Sequence, residues 1–220
     1  MSPRTVFEHE LKELNHNVAT MGLQVEATYE ELFLALENSN KEEINKILES
    51  DRAINDMQRS IESRCLSLIA KQQPVARDLR TITASLKVVT DIERVGDHVS
   101  DIAELLLRLN MNPLSSYSNH LEPMVKAAKE MIHAAVEAFV GRKEEAAKEV
   151  IDSDDIVDDL FNKVKQDLIE YLKKETKNAD ECIDVLMIAK YLEKIGDHAV
   201  NIAEWELFQE TGEIGDVRLL

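Results

Sequence analysis

This 220-residue sequence predicts an all-α fold of two tandem three-helix bundles, six long helices related by internal duplication. Three observations carry that expectation. Gly and Pro number only 6 and 4, too few for the turns that a sheet protein of this length requires. Apolar residues recur at alternating spacings of four and three over long stretches, the seam of packed helices. Finally, residues 93–104 read ERVGDHVSDIAE and residues 193–204 read EKIGDHAVNIAE, identical at seven positions with a constant offset of 100.

The first helix follows Phe7, Leu11, Leu14, Val18, Met21, Val25 and Leu32, and should end at the poor helix formers Asn38, Ser39 and Asn40. A second begins on the acidic turn Glu42-Glu43 and runs to about Lys71. Pro74 fits the first turn of a third, which continues to about Asn110 before the linker MNPLSSYSN. The second copy repeats this grammar: a helix from His120 to Phe139, a break at Gly141, a helix from Lys143 to Lys174, and a last one from Ala179 to Gln209. An upstream match, residues 51–57 over residues 154–160, extends the duplication, so the expected units are residues 1–112 and 113–220.

Charge narrows the partners. The net charge is −17, divided as −6 before residue 111 and −11 after it, so the acids are not confined to a tail. Broad binding to nucleic acid or to an anionic membrane is thereby excluded, and cations or basic protein surfaces are favoured. No apolar run approaches the length of a bilayer span, and the N-terminal stretch has no export signal. Cys65 and Cys182 stand alone among apolar neighbours, as reduced core thiols of a cytosolic protein do.

Some acids fall where the seam should be apolar. The second helix reads Ile44, Ile47, Asp51, Ile54, Gln58, Ile61, Cys65 and Leu68; the fifth reads Val150, Asp154, Val157, Phe161, Val164 and Leu168. On the third helix, Val75, Leu79, Ile82, Leu86 and Val89 lead to Glu93 and Gly96, and on the sixth Cys182, Leu186 and Ala189 lead to Glu193 and Gly196. Each acid has an acid or amide at i+4: Asp51/Asn55, Glu93/Asp97, Asp154/Asp158 and Glu193/Asp197, with Asp101 or Asn201 one step further. Such pairs share a helix face roughly 5 to 6 Å apart. Two of them on adjacent helices make an all-oxygen cluster suited to iron, zinc, manganese or magnesium. The bland alternative is a solvated rim paired with Arg77, Arg80, Arg94 or Lys194. His98 and His198 point about 100° away from the acids they follow, which marks them as supporting or surface groups. Gly96 and Gly196 leave room for a cluster or for close helix approach.

The blocks KQQPVARDLRTITASLKVVTDIERVGDH and AKYLEKIGDHAVNIAEW resemble the two signature segments of the PhoU family, accessory regulators of bacterial high-affinity phosphate transport. The resemblance spans essentially the whole chain. It implies a cytoplasmic, usually dimeric α-protein whose E/D-x-x-x-D motifs hold divalent or ferric metal ions. Those motifs fall on Asp51, Glu93, Asp97 and Asp101 in the first unit and on Asp154, Asp158, Glu193 and Asp197 in the second, with Asn55 a departure where the second copy has Asp158. The implied role is negative regulation of phosphate uptake and phosphate-starvation signalling. Its implied partners are the ATP-binding subunit of the phosphate ABC transporter and the phosphate sensor histidine kinase.

Two other classes compete with this reading. Glu13/His16 and Glu130/His133 both fit Glu-x-x-His, the signature of a di-iron carboxylate bundle, but they are not equivalent positions in the repeat. A metal-free helical adaptor, docking basic surfaces through its acids, is the other. Phosphate loops, nucleophile elbows and HExxH motifs are missing from the sequence, and no enzymatic turnover is expected.

Overall fold

The computed structural model describes residues 3–109, 114–214 and 217–218, so the expected unit boundary at 112/113 and the helix end at Asn110 lie outside the described residues. Six long helices are observed in the order expected: α1 Pro3–Glu37, α2 Lys41–Gln72, α3 Ala76–Arg108, α4 Leu121–Gly141, α5 Glu144–Lys174 and α6 Ala179–Thr211. A short 3₁₀ turn, Leu114–Ser116, precedes α4. Two-residue strands β1 (Glu213–Ile214) and β2 (Val217–Arg218) pair antiparallel after α6, an addition that helical periodicity does not register.

Most helix ends have identifiable causes. The break after α1 is a left-handed Ser39, followed by Asn40, whose side chain accepts from the Glu43 amide at 3.2 Å and caps α2. Gly212, with φ of 82°, closes α6 in the left-handed conformation that glycine adopts without strain. Two ends differ from expectation. Pro74 lies before α3 because Gln73 takes the left-handed cap of α2 and Val75 is extended, which leaves Val75 exposed instead of on the seam. The left-handed residue after α4 is Arg142, not Gly141. Its guanidinium is held by Thr81 at 3.0 Å and lies 3.7 Å from Glu210, so tertiary contacts fix a conformation that the sequence assigns to glycine.

Within each unit all three helices pack on one another, and α3 against α6 is the broadest pair in the molecule, with α1 against α4 as a second junction. The seam residues of α1 are buried from Phe7 to Leu32, except the partly covered Leu11. On α2 the seam residues Ile44, Ile47, Ile54, Ile61, Cys65 and Leu68 are buried, as are Val150, Val157, Val164 and Leu168 on α5. Burying such side chains contributes about 1.5–3 kcal/mol each before the conformational entropy they oppose. At the α1/α4 junction the backbones come close at Gly22, where a Cβ would stand 2.5 Å from Val136 Cγ1. Both cysteines are free and buried.

Candidate metal centre

The seam acids sit at the rim of the core. In the first cluster α2 supplies Asp51 and Asn55, and α3 supplies Glu93, Asp97, Ser100 and Asp101. Asn55 Nδ2 donates to Asp51 Oδ2 at 3.0 Å and Ser100 Oγ to Asp51 Oδ1 at 3.4 Å. Arg94 donates to Asp97 at 2.9 Å and lies 3.7 Å from Glu93, whose side chain is only 13% exposed. Burial first, then the Asp97 charge, raises the proton affinity of both Asp51 and Glu93; the hydrogen bonds to Asp51 and the Arg94 charge near Glu93 oppose the rise.

The second cluster repeats the plan with different neighbours. Asp154 and Asp158 come from α5, Glu193 and Asp197 from α6. Lys190 Nζ reaches Glu193 at 2.7 Å, and Lys194 pairs with both Asp197 and Glu193, the latter at 3.3 Å. Lys190 also lies over the Phe161 ring at 5.4 Å. Burial and the surrounding carboxylates raise the proton affinity of Asp154 and Asp158, which Lys190 tempers at Asp158. Gly196 faces this cluster: a Cβ there would meet Asp154 Oδ1 at 3.4 Å, whereas one at Gly96 would meet Ile54 Cδ1 at 3.2 Å.

Geometry therefore brings every seam acid to its expected cluster. Among the described residues, no three His, Cys, Asp or Glu side chains converge closely enough, as they stand, to hold a metal ion. In donor chemistry and charge the two sets still suit a hard cation, since each gathers four carboxylates whose mutual repulsion is incompletely offset. Arg77 and Arg80 do not join them; they bind Glu210 and the carbonyls at the end of α6.

The histidines of the repeated block lie at the α3/α6 junction, where His98 also touches the first cluster through Asp101. His98 and His198 face each other across α3 and α6 with ring centroids 5.5 Å apart. His98 packs on Tyr191 at 5.3 Å, while His198 Nδ1 lies 2.8 Å from Asp91 Oδ1, which also accepts from Asn201 at 3.0 Å. Positions 91 and 191 are equivalent in the repeat, so each histidine meets the same station of the other unit, as across a twofold axis. His98 is also 3.3 Å from Asp101, and burial lowers its proton affinity. The offset of 100 held the signal for this pairing, but spacing within one helix does not say which helices meet.

The Glu-x-x-His pairs do not assemble. Glu13 lies 4.0 Å from Arg64 and His16 is exposed, whereas His133 pairs with Glu26 of α1 at 2.9 Å and Glu130 with Lys126 at 3.6 Å. Lys190 and Ser100 carry no signal in the sequence, and Phe161 reads there only as a seam residue; their roles become visible once α5 or α2 is laid beside its partner helix.

Both acid clusters fall inside matches to one family model, the PhoU domain, which covers residues 18–106 and again 121–205. The chain belongs to the PhoU family. Among relatives, it is 35% identical over 215 residues to the phosphate-specific transport system accessory protein PhoU homolog of Clostridium acetobutylicum, covering 97% of this chain and 98% of that protein. The corresponding homolog of Rhizobium meliloti is 30% identical, with 94% of this chain and 88% of that one covered. Among solved structures, the phosphate transport system regulatory protein PhoU of Streptococcus pneumoniae superposes with a TM-score of 0.88 at 31% identity, over 96% of this chain and all of the other. PhoU from Pseudomonas aeruginosa gives the same TM-score at 28% identity, over 94% of this chain and all of that one. The PhoU family thus accounts for both repeats and for the six-helix architecture.

Proposed function

We propose that this protein is a negative regulator of phosphate uptake and of phosphate-starvation signalling. It acts in the cytoplasm as a homodimer, by contact with the ATP-binding subunit of the phosphate ABC transporter and with the phosphate sensor histidine kinase, and without enzymatic turnover. The observation that carries this reading is the near full-length match to accessory proteins of phosphate-specific transport, in both repeats and in order. It is supported by a strongly acidic surface suited to basic protein partners and by helices none of which, among the described residues, is long and apolar enough to cross a membrane. Deleting the gene in the source bacterium should derepress phosphate-uptake genes in high phosphate. Unchanged expression and uptake after deletion would overturn the proposal.

In the same reading each acid cluster holds a divalent or ferric cation, iron, zinc, manganese or magnesium. Asp51, Glu93, Asp97 and Asp101 would bind it in the first unit, and Asp154, Asp158, Glu193 and Asp197 in the second. A bound cation would neutralise the carboxylate repulsion and present a positive centre on an acidic face. Protein purified without chelator should contain metal that a Glu93→Ala, Glu193→Ala double variant loses; equal metal content in the two would sink the idea.

A metal-free adaptor is favoured by the lack, among the described residues, of three converging ligands, and by a second observation. Lys190 and Lys194 already pair with Glu193 and Asp197, so the second cluster is partly neutralised by the chain itself. Wild-type protein devoid of metal but retaining its partner contacts would select that reading.

A further inference from the structure

Glu206, on α6, has none of its surface exposed. Its counterpart in the first repeat is Leu106, equally buried, so the packing position itself calls for no carboxyl group. Oε2 accepts from Gln209 Nε2, while Oε1 has no hydrogen-bond partner among the described residues. A buried oxygen left unpartnered is unfavourable, and more so when it carries charge. Burial pushes the Glu206 carboxyl up to about 7; Glu210 and Glu144 add to the rise, and the Gln209 bond and Arg142 oppose it.

Four elements and a turn meet around this side chain. From α6, Gln209 also donates to the Phe139 carbonyl of α4 at 3.5 Å. From α3, Arg80 donates to the carbonyls of Gln209 and Glu210 at 3.2 and 3.1 Å, and Arg77 binds the Glu210 carboxylate at 2.7 Å. Arg142 in the α4–α5 turn joins Thr81 of α3 at 3.0 Å and approaches Glu210 at 3.7 Å. Glu144 opens α5. The end of α6 is therefore clamped at once to the first repeat and to the turn of its own.

We propose that Glu206 is a protonation-controlled latch on this clamp. Neutral, the carboxyl fits the closed pole. Ionised, its second oxygen must be hydrated, and the end of α6 parts from the Phe139 carbonyl and from the arginines to admit water. The grip of the second repeat on α3 thus weakens as pH rises from the ordinary carboxylate range to neutrality, and changes no further above it.

Trp205, the single tryptophan, is adjacent to Glu206 and packs edge-on against Phe208 with ring centroids 5.3 Å apart, which makes it a native reporter. Its emission and the amide exchange of residues 205–212, corrected for intrinsic rates, are followed from about pH 4 to about 8.5. The carboxyl is expected to titrate near pH 7, with protection falling by up to roughly tenfold per pH unit from the ordinary carboxylate range up to that point and levelling off above it. Glu206→Gln and Glu206→Leu should flatten both curves. The side-chain carboxyl carbon resonance of Glu206 in the unaltered protein gives the midpoint without relying on a variant. A midpoint below about pH 5, in the ordinary carboxylate range, or a transition that persists in the Gln variant, overturns the proposal.

Discussion

The two acid clusters began as copies and meet the same electrostatic problem by different means. In the first, Asp51 is held by two neutral donors, Asn55 and Ser100, and a single cation, Arg94, serves Glu93 and Asp97. In the second, Asp158 stands where Asn55 does, and Lys190 and Lys194 bracket Glu193 and Asp197. Lys190 replaces Thr90 of the first repeat, and its platform, Phe161, replaces Gln58. One copy thus carries four carboxylates against one cation and the other four against two. The difference teaches that three acid stations, Asp51/Asp154, Glu93/Glu193 and Asp97/Asp197, are the constant feature, and the fourth carboxylate and the neutralising groups are the variable ones.

The sharpest way to break this comparison is Lys190→Thr, which gives the second cluster the residue of the first. Glu193 is only 13% exposed and would lose its nearest cation, so stability without metal should fall by about 1–2 kcal/mol in urea unfolding. Manganese affinity measured by calorimetry should rise in the same variant, since a competing cation has gone. No change in either quantity would show that Lys190 is a passive surface group.

Proton competition gives the next effect. Asp51, Glu93, Asp154 and Asp158 all hold protons more tightly when folded than when unfolded, chiefly through burial. Their contribution to stability is therefore most favourable at low pH and is lost as pH rises from the ordinary carboxylate range through the raised values. Manganese affinity should run the other way, rising with pH as the protons leave. Within that trend Asn55→Asp should bring the first cluster closer to the second in ligand set and strengthen its manganese binding by roughly tenfold, about 1.4 kcal/mol.

The smallest effect lies in the glycines. Gly196→Ala gains about 1 kcal/mol of helix propensity with only ordinary contacts to meet, so thermal stability should rise slightly. Gly96→Ala gains the same propensity but crowds Ile54 Cδ1 at 3.2 Å, so it should be close to neutral. Equal shifts in melting temperature would erase the distinction.

Much of this was legible before any helix was placed in space. The seam spacing located all six helices, and the seam together with its i+4 steps picked out the acids of the two clusters. What remained hidden depends on which helices approach each other. His98 keeps the supporting place read for it, 3.3 Å from Asp101, but its meeting with His198 at the α3/α6 junction is not legible, because periodicity within one repeat carries no record of how it docks on the next. Arg142 read as the residue after a glycine break, yet it takes the left-handed position because Thr81, more than sixty residues earlier, holds it. Glu206 was absorbed into a helical pattern that treats a buried acid and a surface acid alike.

The facing histidines have a consequence for what this chain can vary. In a symmetric pair of separate subunits, one residue at position 91 would have to face the histidine of both partners. Here the two units are covalently joined, and the twin stations have diverged: Asp91 bonds His198, whereas Tyr191 stacks on His98. Fusion has thus released the axis from self-complementarity, so each side of the junction can be tuned separately, a freedom that a homodimer of single repeats would lack.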